Sequence, residues 1–170
     1  KYVLDCLDSS WISSRGKYCD SFEKSFQAFL KSRNATSVAN GTVALHLALL
    51  TLNIGPGDEV IVPSFTYIAT VNAIKYVGAI PIFVDVSADT WNINFQHIEK
   101  LITINTKAII CVHIYGNPCN MDELCGICLN HKLFLIEDCA ESLGTFYKQQ
   151  HVGTFGDIGT FSFFGNKTIT

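Results

Sequence analysis

A three-layer α/β domain built on a mostly parallel sheet is what this sequence predicts, and two observations carry the expectation. Short apolar runs alternate with segments of helical period along most of the chain, the pattern of βαβ units with right-handed crossovers. The composition is also unusually apolar, with 48% hydrophobic residues, 16% charged and a mean hydropathy of +0.26. A sheet covered by helices on both faces has that composition, because its strands are buried on both sides and read as continuous apolar runs. As one domain, a chain of this length buries about 70% of its unfolded surface.

The elements follow in order. Residues 1–16 (KYVLDCLDSSWISSRG) mix polar and apolar positions without a period and read as an arm. We place the arm at 1–20 and a large domain, incomplete at its far end, at 21–170. Asp20 precedes a helix start at Ser21, and Phe22, Phe26, Phe29 and Leu30 share one helical face. Ser37, Val38 and Ala39 read as a short strand, and 43–52 as a helix. Gly55-Pro56-Gly57-Asp58 is a turn before a strand at 59–63. A helix at 68–77 leads to a strand at 80–86, and a helix at 95–102 to a strand at 108–114. A helix at 121–131 leads to a strand at 133–137, and 159–163 is a last short strand.

Several classes are excluded. No stretch approaches the ~18 apolar residues of a membrane span; the longest run, 44–52, is interrupted by His46 and Thr51. The start has no basic-then-apolar leader, and a cytoplasmic location is expected. With 12 Lys+Arg against 15 Asp+Glu and no basic cluster, nucleic acid is not an expected partner. Both ends of the chain read as cut. Seven cysteines at 6, 19, 111, 119, 125, 128 and 139 are odd in number and scattered, unlike a disulfide framework. A zinc reading takes Cys119, Cys125, Cys128 and His131 but lacks a second Cys-x-x-Cys pair, so no metal is expected and reduced, buried thiols are the better reading.

In parallel sheets the ligand site lies beyond the carboxyl ends of the strands. Five polar segments follow strands here: Asn40-Gly41-Thr42, 64–67, 113–115, 138–142 and 164–167. Strand, Gly, Thr and then helix suits a phosphate, because glycine admits close approach and the first-turn N–H groups point outward. Ordinary capping by Asn40 or Thr42 is the alternative. Asp138 closes the apolar run of KLFLIEDCAES, where a buried carboxylate needs a partner such as a protonated pyridine nitrogen, or serves as a helix cap. Glu141 reaches the same pocket if 139–143 turns helically, whereas Glu137 points to the opposite side of the strand. Tyr67 offers a stacking ring, with Ala140 for the other face and Phe65 as a rival. Ser162 offers a phosphate donor, five residues before Lys167. A lysine amine that forms a Schiff base with an aldehyde cofactor and a carboxylate against a pyridine nitrogen are the two groups pyridoxal phosphate chemistry needs most.

The strings NGTVALHLAL, GPGDEVIVPSFTYIATVNAI, GAIPIFVDV, VHIYGNPCNMD, LIEDCAESLG and GTFSFFGNKTIT, in this order, resemble the DegT/StrS-type nucleotide-sugar aminotransferases. These are pyridoxal 5′-phosphate (PLP) enzymes with the aspartate-aminotransferase (fold type I) large domain. The resemblance runs from about Trp11 to the end of the chain. It implies that Gly41, Thr42 and Ser162 hold the phosphate, Tyr67 stacks on the ring and Asp138 pairs with the pyridine nitrogen. It implies Lys167 as the cofactor-bearing catalytic lysine and Glu141 near the ring 3-hydroxyl. Glu in EDCAESLG most resembles the perosamine- and viosamine-type branch, which aminates C4 of nucleotide-linked 4-keto-6-deoxy sugars. Glutamate as amino donor and a homodimer with shared sites follow from the same resemblance. Lysine at 167, where a dehydratase branch has His, implies transamination. Family members run well beyond this length into a small C-terminal domain, so these residues alone are expected to be inactive; a cofactor-binding regulator is the alternative.

Overall fold

The computed structural model describes residues 1–169 and falls into two compact units, Lys1–Val38 and Ala39–Thr170. In the first, helices α1 (Tyr2–Asp8) and α2 (Lys17–Leu30) are held by Asp5. The Tyr18 hydroxyl donates to its carboxylate at 2.8 Å, Lys17 Nζ lies at 2.5 Å, and the Tyr2 and Tyr18 rings meet at 4.8 Å. The segment expected to be an aperiodic arm is therefore helical at its start, although α1 buries no residue. The expected boundary at residue 20 falls inside α2, which begins four residues ahead of Ser21. Phe22, Phe26 and Phe29 stack along α2 as their spacing predicts.

The strand expected at residues 37–39 does not form. A strand exists only where a neighbour pairs its backbone. Here the Ser37 N–H and hydroxyl both donate to the Glu23 carboxylate, at 2.7 and 2.8 Å, so local side-chain bonding takes the place of a ladder.

From Ala39 onward the alternation holds. Helix α3 (Gly41–Thr51) leads to β1 (Glu59–Pro63), α4 (Ile68–Tyr76), β2 (Ile80–Val84), β3 (Thr106–Val112), α5 (Met121–His131), β4 (Phe134–Asp138), a small hairpin β5 (Phe146–Tyr147) and β6 (Gln150–His151), and β7 (Ile158–Thr160). The main sheet runs β2-β1-β3-β4-β7, and every pair is parallel. Strand alternation separates two apolar clusters. Val60, Val62, Ala108, Ile110 and Ile136 face α3 and α4, packing on Leu45, Leu49, Ala73 and Ile74. Ile61, Ile109, Cys111 and Leu135 face the other way, onto Met121, Leu124, Ile127 and Cys128 of α5. This is the predicted three-layer architecture.

Some boundaries differ. The helix expected at 95–102 is two 3₁₀ turns, Phe95–His97 and Glu99–Leu101, joined at buried Ile98. Asn94 Oδ1 fixes the first turn by accepting from Gln96 N–H, and the segment stays in i→i+3 turns on either side of Ile98. Val86 makes only an isolated bridge to Ile93, and β7 is shorter than expected. The β5–β6 hairpin has no sequence signal, because two-residue strands carry no readable period. Among the described residues, no helix is long and apolar enough to cross a membrane.

Candidate active site

Register brings the strand ends together. Pro63 pairs with Val84, Val112 with Asp138, and Asp138 with Thr160, so the loops that follow open on one rim. Asp138 is the last residue of β4 and nearly solvent-free. Its Oδ2 accepts from the Thr70 hydroxyl at 2.8 Å and its Oδ1 from the Ala140 N–H at 3.1 Å. Thr70 in turn lies 3.0 Å from the Thr66 hydroxyl. Burial pushes the Asp138 carboxyl above its ordinary range, while Thr70, the Ala140 amide and the Lys167 charge pull it back.

Glu137 projects to the other face, as alternation requires, and is fully buried. Burial alone would raise its carboxyl, but His113 and the Gly156 and Gly153 amides together hold it below the usual range. Its oxygens accept from the N–H groups of Gly153, Phe155 and Gly156, each at 2.7 Å, and His113 Nε2 lies at 3.1 Å. The Cys119 N–H donates to His113 Nδ1 at 3.0 Å, which places the imidazole proton on Nε2, toward Glu137. The carboxylate thus latches the 153–156 loop onto β4. Glycine is required there: a Cβ on Gly156 would lie 2.4 Å from the Leu135 carbonyl oxygen, and one on Gly159 2.2 Å from that of Gly153. Although His113, Glu137 and Cys139 bring ligand-type atoms within 4.8 Å of one another, the Glu137 oxygens are already engaged by four donors.

Lys167 is mostly enclosed. Its Nζ lies 3.6 Å from Glu141 Oε1 and 5.9 Å from the Tyr67 ring centroid. The other Glu141 oxygen accepts from the Tyr115 N–H at 3.0 Å, so the carboxylate bridges the lysine and the loop after β3. Tyr67 itself is 70% exposed.

At the head of α3, Asn40 Oδ1 accepts from Val43 N–H at 3.0 Å. Helix geometry gives Gly41 and Thr42 no intrahelical acceptor for their own N–H groups, which are left to bonds from outside the helix. A Cβ on Gly41 would sit 3.1 Å from Ser162 Cβ and 3.3 Å from its Oγ. Gly41, next to Thr42 at the head of α3, therefore lies against Ser162, although the two are 121 positions apart in sequence.

The structure thus gathers Asp138, Glu141, Tyr67 and Lys167 on the rim, and Gly41, Thr42 and Ser162 at the α3 terminus. It does not gather the zinc quartet: Cys119 and Cys128 are buried in the apolar cluster beneath α5, Cys125 packs against it, and His131 faces Glu99 at 3.3 Å. Two participants escaped sequence reading. Thr70, in the first turn of α4, carries no local signal, and Tyr115 acts through its backbone.

Comparison with known proteins bears on this arrangement. The model of the DegT/DnrJ/EryC1/StrS aminotransferase family matches residues 1–170. GDP-perosamine synthase of Escherichia coli O157:H7 is 60% identical over 170 residues, which is 100% of this chain and 47% of that protein. The crystal structure of an aminotransferase from Psychrobacter cryohalolentis superposes with a TM-score of 0.96 at 41% identity, covering 99% of this chain and 43% of that one. NtdA of Bacillus subtilis, crystallised with bound cofactor PMP, gives 0.93 at 35% identity, covering 98% and 37%. The chain spans about half the length of the curated relatives it matches.

Proposed function

Because the chain belongs to the DegT/DnrJ/EryC1/StrS aminotransferase family, we propose that it is the cofactor-binding part of a PLP-dependent sugar-nucleotide aminotransferase. The reaction is amination at C4 of a nucleotide-linked 4-keto-6-deoxy sugar, with glutamate as donor, in a homodimer that shares its active sites. The likeness to GDP-perosamine synthase supports the sugar class. The large domain is taken as 21–170, with 1–20 as its arm. Because the relatives are about twice as long, turnover is assigned to the protein carrying their remaining half, and these residues alone bind the cofactor weakly and do not turn over.

The residues present suit the cofactor. The clearest sign is the cradle at Gly41, which a single Cβ would crowd against Ser162. Gly41, Thr42 and Ser162 hold the phosphate, with the α3 terminus favouring its negative charge. Tyr67 flanks the ring. Asp138 Oδ keeps a proton on the pyridine nitrogen, and Thr70 keeps Asp138 ionised for that purpose. When bound, the cofactor supplies an electron sink and carries the amino group between donor and acceptor. Lys167 would be the residue that holds the cofactor through its amine, and its Nζ would accept and return the proton that moves during transfer. Glu141 orients Lys167 and would be the residue nearest the ring 3-hydroxyl.

The observation that supports this reading is the Lys167–Glu141 pair on the strand-end rim that also carries buried Asp138, with the close Gly41–Ser162 contact at the head of α3 beside it in support. Borohydride reduction of the PLP-loaded protein, followed by peptide mapping, should fix the cofactor on Lys167. A label on any other lysine overturns the assignment.

A further inference from the structure

Three large aromatic residues stand together beside this site without a part in holding the cofactor. Phe65, Trp91 and Tyr115 come from the loops that follow β1, β2 and β3, and their rings pack edge to face. The centroid separations are 5.6 Å for Phe65–Trp91 and 6.4 Å for both Phe65–Tyr115 and Trp91–Tyr115. They are 40%, 52% and 70% exposed, respectively, so each ring keeps open surface.

Their loops are built to hold them there. Trp91 and Tyr115 both have left-handed backbones, with φ of 59° and 51°, a region that bulky residues rarely occupy. The strain is sustained by a stitch between the two loops. Buried Asn92 donates from Nδ2 to the carbonyls of Asn117 and Pro118 at 3.1 and 3.0 Å, and its Oδ1 accepts from Ile114 N–H at 3.3 Å. Asn117 Nδ2 returns a bond to the Thr90 carbonyl at 3.1 Å. Backbone strain kept in place by a buried amide network, to display aromatic surface to solvent, marks a preorganised binding platform.

We propose that the Phe65–Trp91–Tyr115 platform seats the apolar face of the substrate hexose, with its C6 methyl group against the rings. This inference rests on the sugar-nucleotide aminotransferase reading and adds the residues that choose the 6-deoxy sugar. Position favours the hexose over the nucleobase. The Tyr115 N–H holds Glu141, and Glu141 lies 3.6 Å from Lys167 Nζ, so the platform adjoins the amine beside which C4 must react. The base is removed from that carbon by a diphosphate and most of the sugar ring. Chemistry favours the methyl group, because the ring faces of Phe65 and Trp91 offer no acceptor to a C6 hydroxyl, which would lose water without replacement.

Trp91 reports directly on the platform, since the chain has only one other tryptophan, Trp11. A PLP-loaded Trp11→Phe chain is titrated with GDP-6-deoxymannose, GDP-mannose and GDP while tryptophan emission is followed. The expected result is a change in Trp91 emission with the 6-deoxy sugar at roughly ten-fold lower concentration than with GDP-mannose. GDP alone should leave the emission unchanged, and Tyr115→Leu should erase the preference between the sugars. An equal response to GDP overturns the proposal in favour of a nucleobase seat. Equal response to both sugars, or no response to any, also overturns it. The borohydride label on Lys167 in the same protein reads the underlying function separately, so the platform can fail while the aminotransferase reading stands.

Discussion

Replacing Thr70 with valine keeps a buried β-branched shape and deletes one hydroxyl, the one that donates to Asp138 at 2.8 Å. Both residues are nearly solvent-free, so water cannot take over that bond. A hydrogen bond to a charged group contributes about 1.5–3 kcal/mol, against about 1 kcal/mol for a neutral pair. The sign of the pH dependence follows from the raised carboxyl of Asp138. Between its ordinary value of 3.8 and the higher folded value, the native state binds more proton than the unfolded state, so stability falls as pH rises through that window. Thr70 opposes the rise, and Thr70→Val enlarges it. Urea unfolding of the cofactor-free protein at pH 7 should therefore show a loss of about 1.5–3 kcal/mol, shrinking toward about 1 kcal/mol as the pH falls through the folded value and Asp138 takes up its proton. Thr70→Ser should restore most of the difference. Equal losses above and below the folded value would show that packing, and not the charge on Asp138, sets the effect. An unchanged stability at pH 7 would refute the reasoning outright.

Gly41→Ala should weaken PLP binding about ten-fold or more, because its Cβ crowds Ser162, while unfolding midpoints move little; cofactor titration by absorbance reads the first and urea unfolding the second. Glu137→Gln sets an amide donor against backbone N–H groups and should cost about 2–4 kcal/mol at pH 7 by urea unfolding. The carboxyl of Glu137 is held below its ordinary 4.5, so its stabilisation is present above that value and lost as pH falls through the lower folded one; the gap between wild type and Glu137→Gln should close in acid. Glu141→Gln keeps an acceptor for the Tyr115 N–H and should retain cofactor absorbance, whereas Glu141→Leu should lose the alignment of Lys167 and slow its borohydride labelling severalfold.

The elements that were read accurately are those whose signal lies within one window. The strand Glu59–Pro63 follows a Gly-Pro-Gly-Asp turn, and the helix Met121–His131 shows its apolar side in its own spacing. Asp138, Lys167 and Gly41 were legible as site candidates because each stands just past an apolar strand or opens a helix, where parallel sheets place ligands. The strand expected at residues 37–39 failed for the complementary reason. Its residues have strand character, but a ladder needs a partner, and Glu23 supplied the bonds instead.

By itself, the sequence determined the alternation of strands and helices, the burial of both sheet faces and the chemical types that line the rim, since period and composition act over a few residues. Tertiary structure alone decided which of those groups meet. Thr70 and Asp138 are 68 residues apart, and Tyr115 and Glu141 are 26 apart. Phe65, Trp91 and Tyr115 belong to three different crossovers. Such meetings are fixed by strand order and register, which arise from the packing of the whole sheet and leave no trace in the local pattern of residues.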